Sequence, residues 1–325
     1  MTRKRQSSTV GTPTMSETVP LVFESCRQGT YLFSEIPQWQ RDNHYILSGY
    51  VRETKSFRAC WDSLFYLHNE TVNIITHLVP GLLFPIGLFS VSPWMVSNDR
   101  LIRSVPNWLI QIPVFDSTTR ADNFIFGLFF FGFVSCLSLS AIFHATKCHS
   151  HKVMKQGSSL DYVGIICLIV TSMIGIIHYS LQDDPGARWS CIALVGLFGT
   201  VCLVLTLDPG FREPEWRTFR ATMFVIFGVS SVIPIGYGLF EYGATEVWNR
   251  AGLGYVLLEG LGYISGAIIY AMRTPEKHAP GRFDIWGNSH QIFHVLVVLS
   301  AYSHLKGLNQ SYIWAHSSGV MDKGI

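Results

Sequence analysis

Residues 289–305 read SHQIFHVLVVLSAYSHL: two histidines four positions apart, opening a long apolar run. A run of this length and character is a buried helix. Residues i and i+4 of a helix stand one above the other on one face, so His290 and His294 can aim at one atom. Imidazole in apolar surroundings is costly unless something bonds it. A metal ion is one such partner, and neighbouring helices satisfying two core histidines are the other.

The surrounding chain is apolar as well. Of its 325 residues 14% are charged, against about 25% in a soluble domain, while 22 Phe, 9 Trp and 28 Gly are present. That balance fits an integral membrane protein. A net charge of +2 gives no reason to expect nucleic acid as a partner. The seven cysteines are scattered without a CxxC pair, which argues against a disulfide framework. The first twenty residues carry basic groups with no apolar core behind them, unlike a cleaved signal peptide.

Residues 1–40 are polar, without period, and read as a disordered cytoplasmic tail. Residues 41–71 form a juxtamembrane amphipathic segment, with Phe57, Trp61, Leu64, Phe65 and Leu67 at near-helical spacing. It is either a helix on the membrane surface or a short helix packed on the bundle. Seven apolar segments of spanning length follow, at 72–91, 124–145, 160–181, 189–207, 221–240, 253–272 and 286–305. The proline-broken loop 92–123 is expected to be interfacial, and 306–325 to be a short extracytoplasmic tail. Alternate sides of this arrangement hold 17 and 7 of the 24 Lys and Arg residues. The richer side is cytoplasmic. The expected fold is therefore all-α, a seven-transmembrane helix bundle with residues 72–305 in the membrane, a cytoplasmic N-terminus and an extracytoplasmic C-terminus.

This topology places the ionisable groups, each of which inside a membrane is a functional hypothesis. His144 ends the second segment, Asp161 begins the third, and His290 and His294 open the seventh, all at the cytoplasmic end. His294 lies about 12 Å into its helix. Three neutral imidazoles with one open position are a catalytic zinc pattern, in which bound water titrates near neutrality. Asp161 fits either a general base for that water or a partner that orients a ligand. Ser140 shares a face with His144; it either bonds a reacting oxygen or its own helix carbonyl at i−4. Asn73 and His77 brace the site or pair with neighbouring helices. His149 and His151 read as solvated, while His178, His304 and His316 show no visible partner. Glu259 sits mid-segment with no partner nameable from sequence. Pro80, Pro85 and Pro234 are expected to kink their helices, and Gly260, Gly262 and Gly266 to allow close packing. Asn69-Glu70-Thr71 has the form of a glycosylation triplet on the wrong side of the membrane.

The segments HNETVNIITH (68–77), SAIFHATKCHSHKV (140–153), LDYVGI (160–165) and RFDIWGNSHQIFHVLVV (282–298) resemble the progestin and adipoQ receptor family. That family includes adiponectin receptors, haemolysin III-like proteins and fungal relatives. The resemblance spans about residues 37–307 and is of the fungal type. It implies a seven-helix bundle with zinc on His144, His290 and His294, Asp161 near the metal's water and Ser140 beside it. It further implies a hydrolase of ceramide amides, releasing sphingoid base and fatty acid, tied to lipid and zinc homeostasis. Two readings follow: a zinc-dependent lipid amide hydrolase with membrane lipids as partners, or a non-catalytic receptor or sensor held together by structural zinc. An extracytoplasmic ligand is compatible with both. Zinc transport is disfavoured, since no polar file crosses the bilayer depth.

Overall fold

Capping chemistry sets where several of the apolar runs become helices. In the computed structural model, which describes residues 29–91, 112–212 and 214–321, three of the long helices start on side-chain caps. The helices are α1 (Phe57–Asp62), α2 (Thr71–Val91), α3 (Arg120–Thr146), α4 (His151–Ser180), α5 (Pro185–Leu207), α6 (Arg217–Val229), α7 (Val232–Tyr242), α8 (Ala244–Arg250), α9 (Leu253–Met272) and α10 (Ser289–Met321). Thr119 and Asp122 satisfy each other's backbone N–H groups at the start of α3. Ser150 caps α4, and Asp184 caps α5 ahead of Pro185.

Among the described residues, five helical stretches are long and apolar enough to cross a bilayer: Arg120–Thr146, His151–Ser180, Pro185–Leu207, Thr218–Tyr242 and Leu253–Met272. The first apolar segment of the sequence lies in α2 and the last in α10. α10 continues to Met321, through residues read above as a tail. The fifth segment is broken at Ser230–Ser231 into α6 and α7. Pro234 is the cause: it lacks the N–H that would bond the Ser230 carbonyl, which accepts from Ile233 instead. The helical assignment of α2 runs unbroken through Pro80 and Pro85.

The helices pack as a ring, with α3 on α4, α2 on α3, α4 on α5 and α9 on α10, while α10 also meets α2 and α4. Glycine sets the α9–α10 approach: a Cβ on Gly262 would meet Ser300, and one on Gly266 would meet Phe293. Gly260, expected to pack likewise, faces open space. The turn into α9 is tighter. Gly252 has φ +56°, and a Cβ there would lie 2.6 Å from the Gly307 carbonyl oxygen. Gly252→Ala combines a left-handed backbone with overpacking and is expected to cost about 2–4 kcal/mol. Gly260→Ala should cost nothing. Thermal unfolding of the two variants in one detergent checks the contrast.

Residues 29–50 depart from the expected tail. Tyr31 pairs with Tyr50 and Phe33 with Leu47 through the backbone, over a small core of Ile36, Ile46 and Tyr50. Residues 1–28, most of the expected tail, lie outside the described residues, as does 92–111 of the interfacial loop. Nor does 41–71 form one long amphipathic helix. Positive φ at Gly49 and Lys55 interrupts it, leaving the six-residue α1 and a short 3-10 turn. Cys60 of α1 rests on Cys148 as a pair of free thiols 3.5 Å apart, while Trp61 and Phe65 are exposed.

The 43–48 stretch is latched to the loop before α10. The Asp284 carboxylate accepts from Leu47 N–H (2.9 Å) and the Ser48 hydroxyl (2.6 Å). Glu276, fully buried, accepts from Asn43, from Ser289 N–H (2.8 Å) and from the Ser289 hydroxyl. The first turn of α10, and with it His290, is therefore fixed from outside the helix.

Candidate metal centre

His144 sits in the last turn of α3, and His290 and His294 in the first turns of α10. The packing of these helices brings the three rings together in a nearly equilateral arrangement, with centroids 4.8–4.9 Å apart. One ligand nitrogen from each lies within 4.8 Å of the others, a group that could hold a metal ion. His144 and His294 are 1% exposed, so their nitrogens have little water to bond.

Two of the outer nitrogens are already committed. His144 Nδ1 lies 2.7 Å from Glu70 Oε2, and His294 Nδ1 lies 3.1 Å from the Asn73 carbonyl oxygen. A carboxylate and a carbonyl only accept, so both imidazoles carry their proton on Nδ1 and turn a lone pair on Nε2 inward. His144 Nε2 is buried without a partner among the described residues. A buried orphan acceptor beside two further imidazoles fits a divalent cation that takes neutral nitrogen ligands.

Glu70 is the hub behind the triad. Its Oε1 accepts from Lys147 (2.6 Å), and its Oε2 from Asn73 Nδ2 (2.6 Å) and His144. Burial works against its charge, yet Lys147 and His144 beside it hold the carboxyl well below the usual carboxylate range. Sequence reading missed Glu70, which it met only inside a glycosylation triplet. The signal was there: Glu70, Asn73 and His77 at i, i+3 and i+7 make one polar face on the start of α2. The structure gives Asn73 the bracing role left open above. His77 stacks on His294 at 3.8 Å, nearly parallel. Glu70→Gln keeps the size and loses the charge, and is expected to weaken metal affinity about 10–100-fold. Competition against a chelating dye measures it.

Asp161 and Ser140 lie across the α3–α4 contact from one another. The Ser140 hydroxyl is buried and makes no bond to its own helix. Thr146, Thr171 and Thr200, by contrast, each bond the carbonyl four residues back. Ser140, Asp161, His290 and His294 line a cavity of about 1100 Å³. Its walls are largely apolar, among them Ile165, Leu168, Phe293 and Val297. Its flank includes Val232 of α7 and Leu257 and Leu261 of α9, each more than half exposed, while Trp39, Arg41 and Lys155 also line it. His304 and His316 do have partners, Glu259 and Asp122 respectively. His149 is half-buried against Phe57 rather than solvated.

The family model described as "Haemolysin-III related" matches residues 65–305. ADIPOR-like receptor IZH2 of Saccharomyces cerevisiae is 46% identical over 299 residues, covering 91% of this chain and 87% of that protein. ADIPOR-like receptor IZH1 of Eremothecium gossypii is 37% identical over 284 residues, covering 87% and 85%. Heptahelical transmembrane protein 1 of Arabidopsis thaliana is 34% identical over 276 residues, covering 84% and 78%. With matches of this extent and five helices fit to cross a bilayer, the chain is an integral multi-pass membrane protein that belongs to the haemolysin-III related family, as a fungal-type adiponectin-receptor-like member.

Proposed function

We propose that this protein is a seven-crossing zinc hydrolase of long-chain lipid amides of the ceramide type, with its N-terminus in the cytoplasm. The observation that carries the reading is the junction of the imidazole triad with a lipid-sized, largely apolar cavity, whose flank of exposed apolar residues opens it to the bilayer in this reading. A sideways opening admits an acyl chain from the bilayer without passage through water. Seven crossings agree with the Lys and Arg bias and with a relative named heptahelical.

In this reading His144, His290 and His294 hold zinc, which when bound supplies Lewis acidity and acidifies water. Asp161 accepts a proton from the attacking water and returns it to the leaving amine. Ser140 donates its hydroxyl hydrogen to the amide carbonyl oxygen, where negative charge develops. The products are one amine and one carboxylic acid, with water consumed. The cavity walls align the chain so that its amide end meets Asp161. The test is fatty-acid release from long-chain ceramide by the purified, zinc-loaded protein in micelles. Release no faster than in protein-free micelles would sink the hydrolase.

A second reading has its own support. One ion would join α3 to α10, and Glu70 and Asn73 tie α2 to the same ligands. Two of the relatives are named receptors. A receptor or sensor of this build needs the clasp but not the chemistry of Asp161.

A further inference from the structure

The cavity wall carries a second polar cluster. Glu259 of α9 and His304 of α10 meet there, with His304 Nδ1 2.8 Å from Glu259 Oε2. His304 is 3% exposed and stacks on Phe129. Its Nε2 is buried with no partner among the described residues, and so is the hydroxyl of Tyr263, one turn from Glu259 on the same face. All three residues line the cavity that holds the triad's open side. Ten residues of α10 separate His294 from His304, a rise of about 15 Å. Two apolar-walled polar atoms left without partners cost roughly 1–3 kcal/mol each unless a ligand or water bonds them.

We propose that Glu259, Tyr263 and His304 form a second binding station, which takes a hydroxyl group carried far along the chain of the lipid whose polar head meets the triad. This rests on the cavity being a lipid site. The chemistry selects a hydroxyl. With its Nδ1 proton given to Glu259, neutral His304 offers Nε2 as an acceptor; protonated, it offers a donor. The Tyr263 hydroxyl both donates and accepts. A group that donates and accepts at one atom serves either state, whereas a carbonyl would bond Tyr263 alone in the first and leave His304 Nε2 without a donor. A carboxylate would meet Glu259 and be repelled.

The experiment uses the full-length purified protein loaded with a fluorescent fatty amide. Two unlabelled amides of equal length compete for it, one with a plain chain and one with a single hydroxyl walked along the chain. The hydroxylated amide should compete about tenfold better at one far position, the worth of one buried hydrogen bond. That preference should vanish in Tyr263→Phe and in Glu259→Gln, with Tyr263→Phe melting near wild type. Equal competition at every position would mean that water satisfies the pair, and would overturn the station while leaving the lipid cavity intact. Stronger competition by a chain-borne amine would overturn it as well, assigning recognition to the carboxylate alone. If neither amide displaces the probe, the cavity reading falls with it.

Discussion

His294→Ala is expected to purify folded but nearly metal-free, and the wild type with about one zinc per chain. The ring is anchored at its outer nitrogen by the Asn73 carbonyl and supported on one side by His77, so it is held in place before any ion arrives. Structural zinc sites are worth about 10–16 kcal/mol in all, so losing one of three protein ligands should remove about 3–5 kcal/mol, or about 100- to 10,000-fold in affinity. That exceeds the effect expected for Glu70→Gln, which touches a ligand only through its far nitrogen. Elemental analysis after dialysis against a weak chelator distinguishes the two. A folded His294→Ala protein that keeps its full complement of metal would remove the triad from the account. The same variant should release no fatty acid from ceramide.

Asp161→Asn should do the opposite: retain the metal and lose turnover. Asp161 lies outside the three-histidine group, yet it shares the cavity with His290 and His294 and neighbours Ser140. The amide keeps the shape of the side chain and cannot take a proton from water. General-base loss of this kind costs about 100- to 10,000-fold in rate. Ser140→Ala, which removes one donor, should cost less. Ceramide hydrolysis followed by mass spectrometry, with zinc measured on the same samples, is the assay. Wild-type turnover by Asp161→Asn would take the carboxylate out of the chemistry. A receptor that merely needs its helices clasped would respond to its ligand with Asn at this position, so the variant separates the two readings.

What could be read from the sequence follows from how far each signal reaches. His290 and His294 needed nothing beyond the helical period, and His144 and Asp161 needed only the order of segments and their depth. Glu70 was hidden because it stands just before an apolar run, where a charge looks like an ordinary helix flank. Its meaning depends on Lys147 and His144, more than seventy positions away. The Glu259–His304 pair stayed invisible because it depends on the antiparallel register of α9 and α10, set by Gly262 against Ser300 and Gly266 against Phe293. Hydropathy carries no such register. The order in residues 29–50 was missed for a similar reason, since polar, aperiodic chain can be held by distant partners instead of by a core of its own.

The latch over the start of α10 has a consequence for biogenesis. Asn43 and Ser48 must find partners 233 and 236 residues downstream. At about 5–20 residues per second, a translating ribosome leaves that stretch exposed for roughly ten to fifty seconds. His290 and His294 emerge later still, so the three-histidine group is incomplete until α10 has been made. In the zinc reading, metal loading is thus a step after translation, and a chain truncated before α10 leaves the ribosome with its N-terminal buckle unfastened, open to chaperones and quality-control proteases.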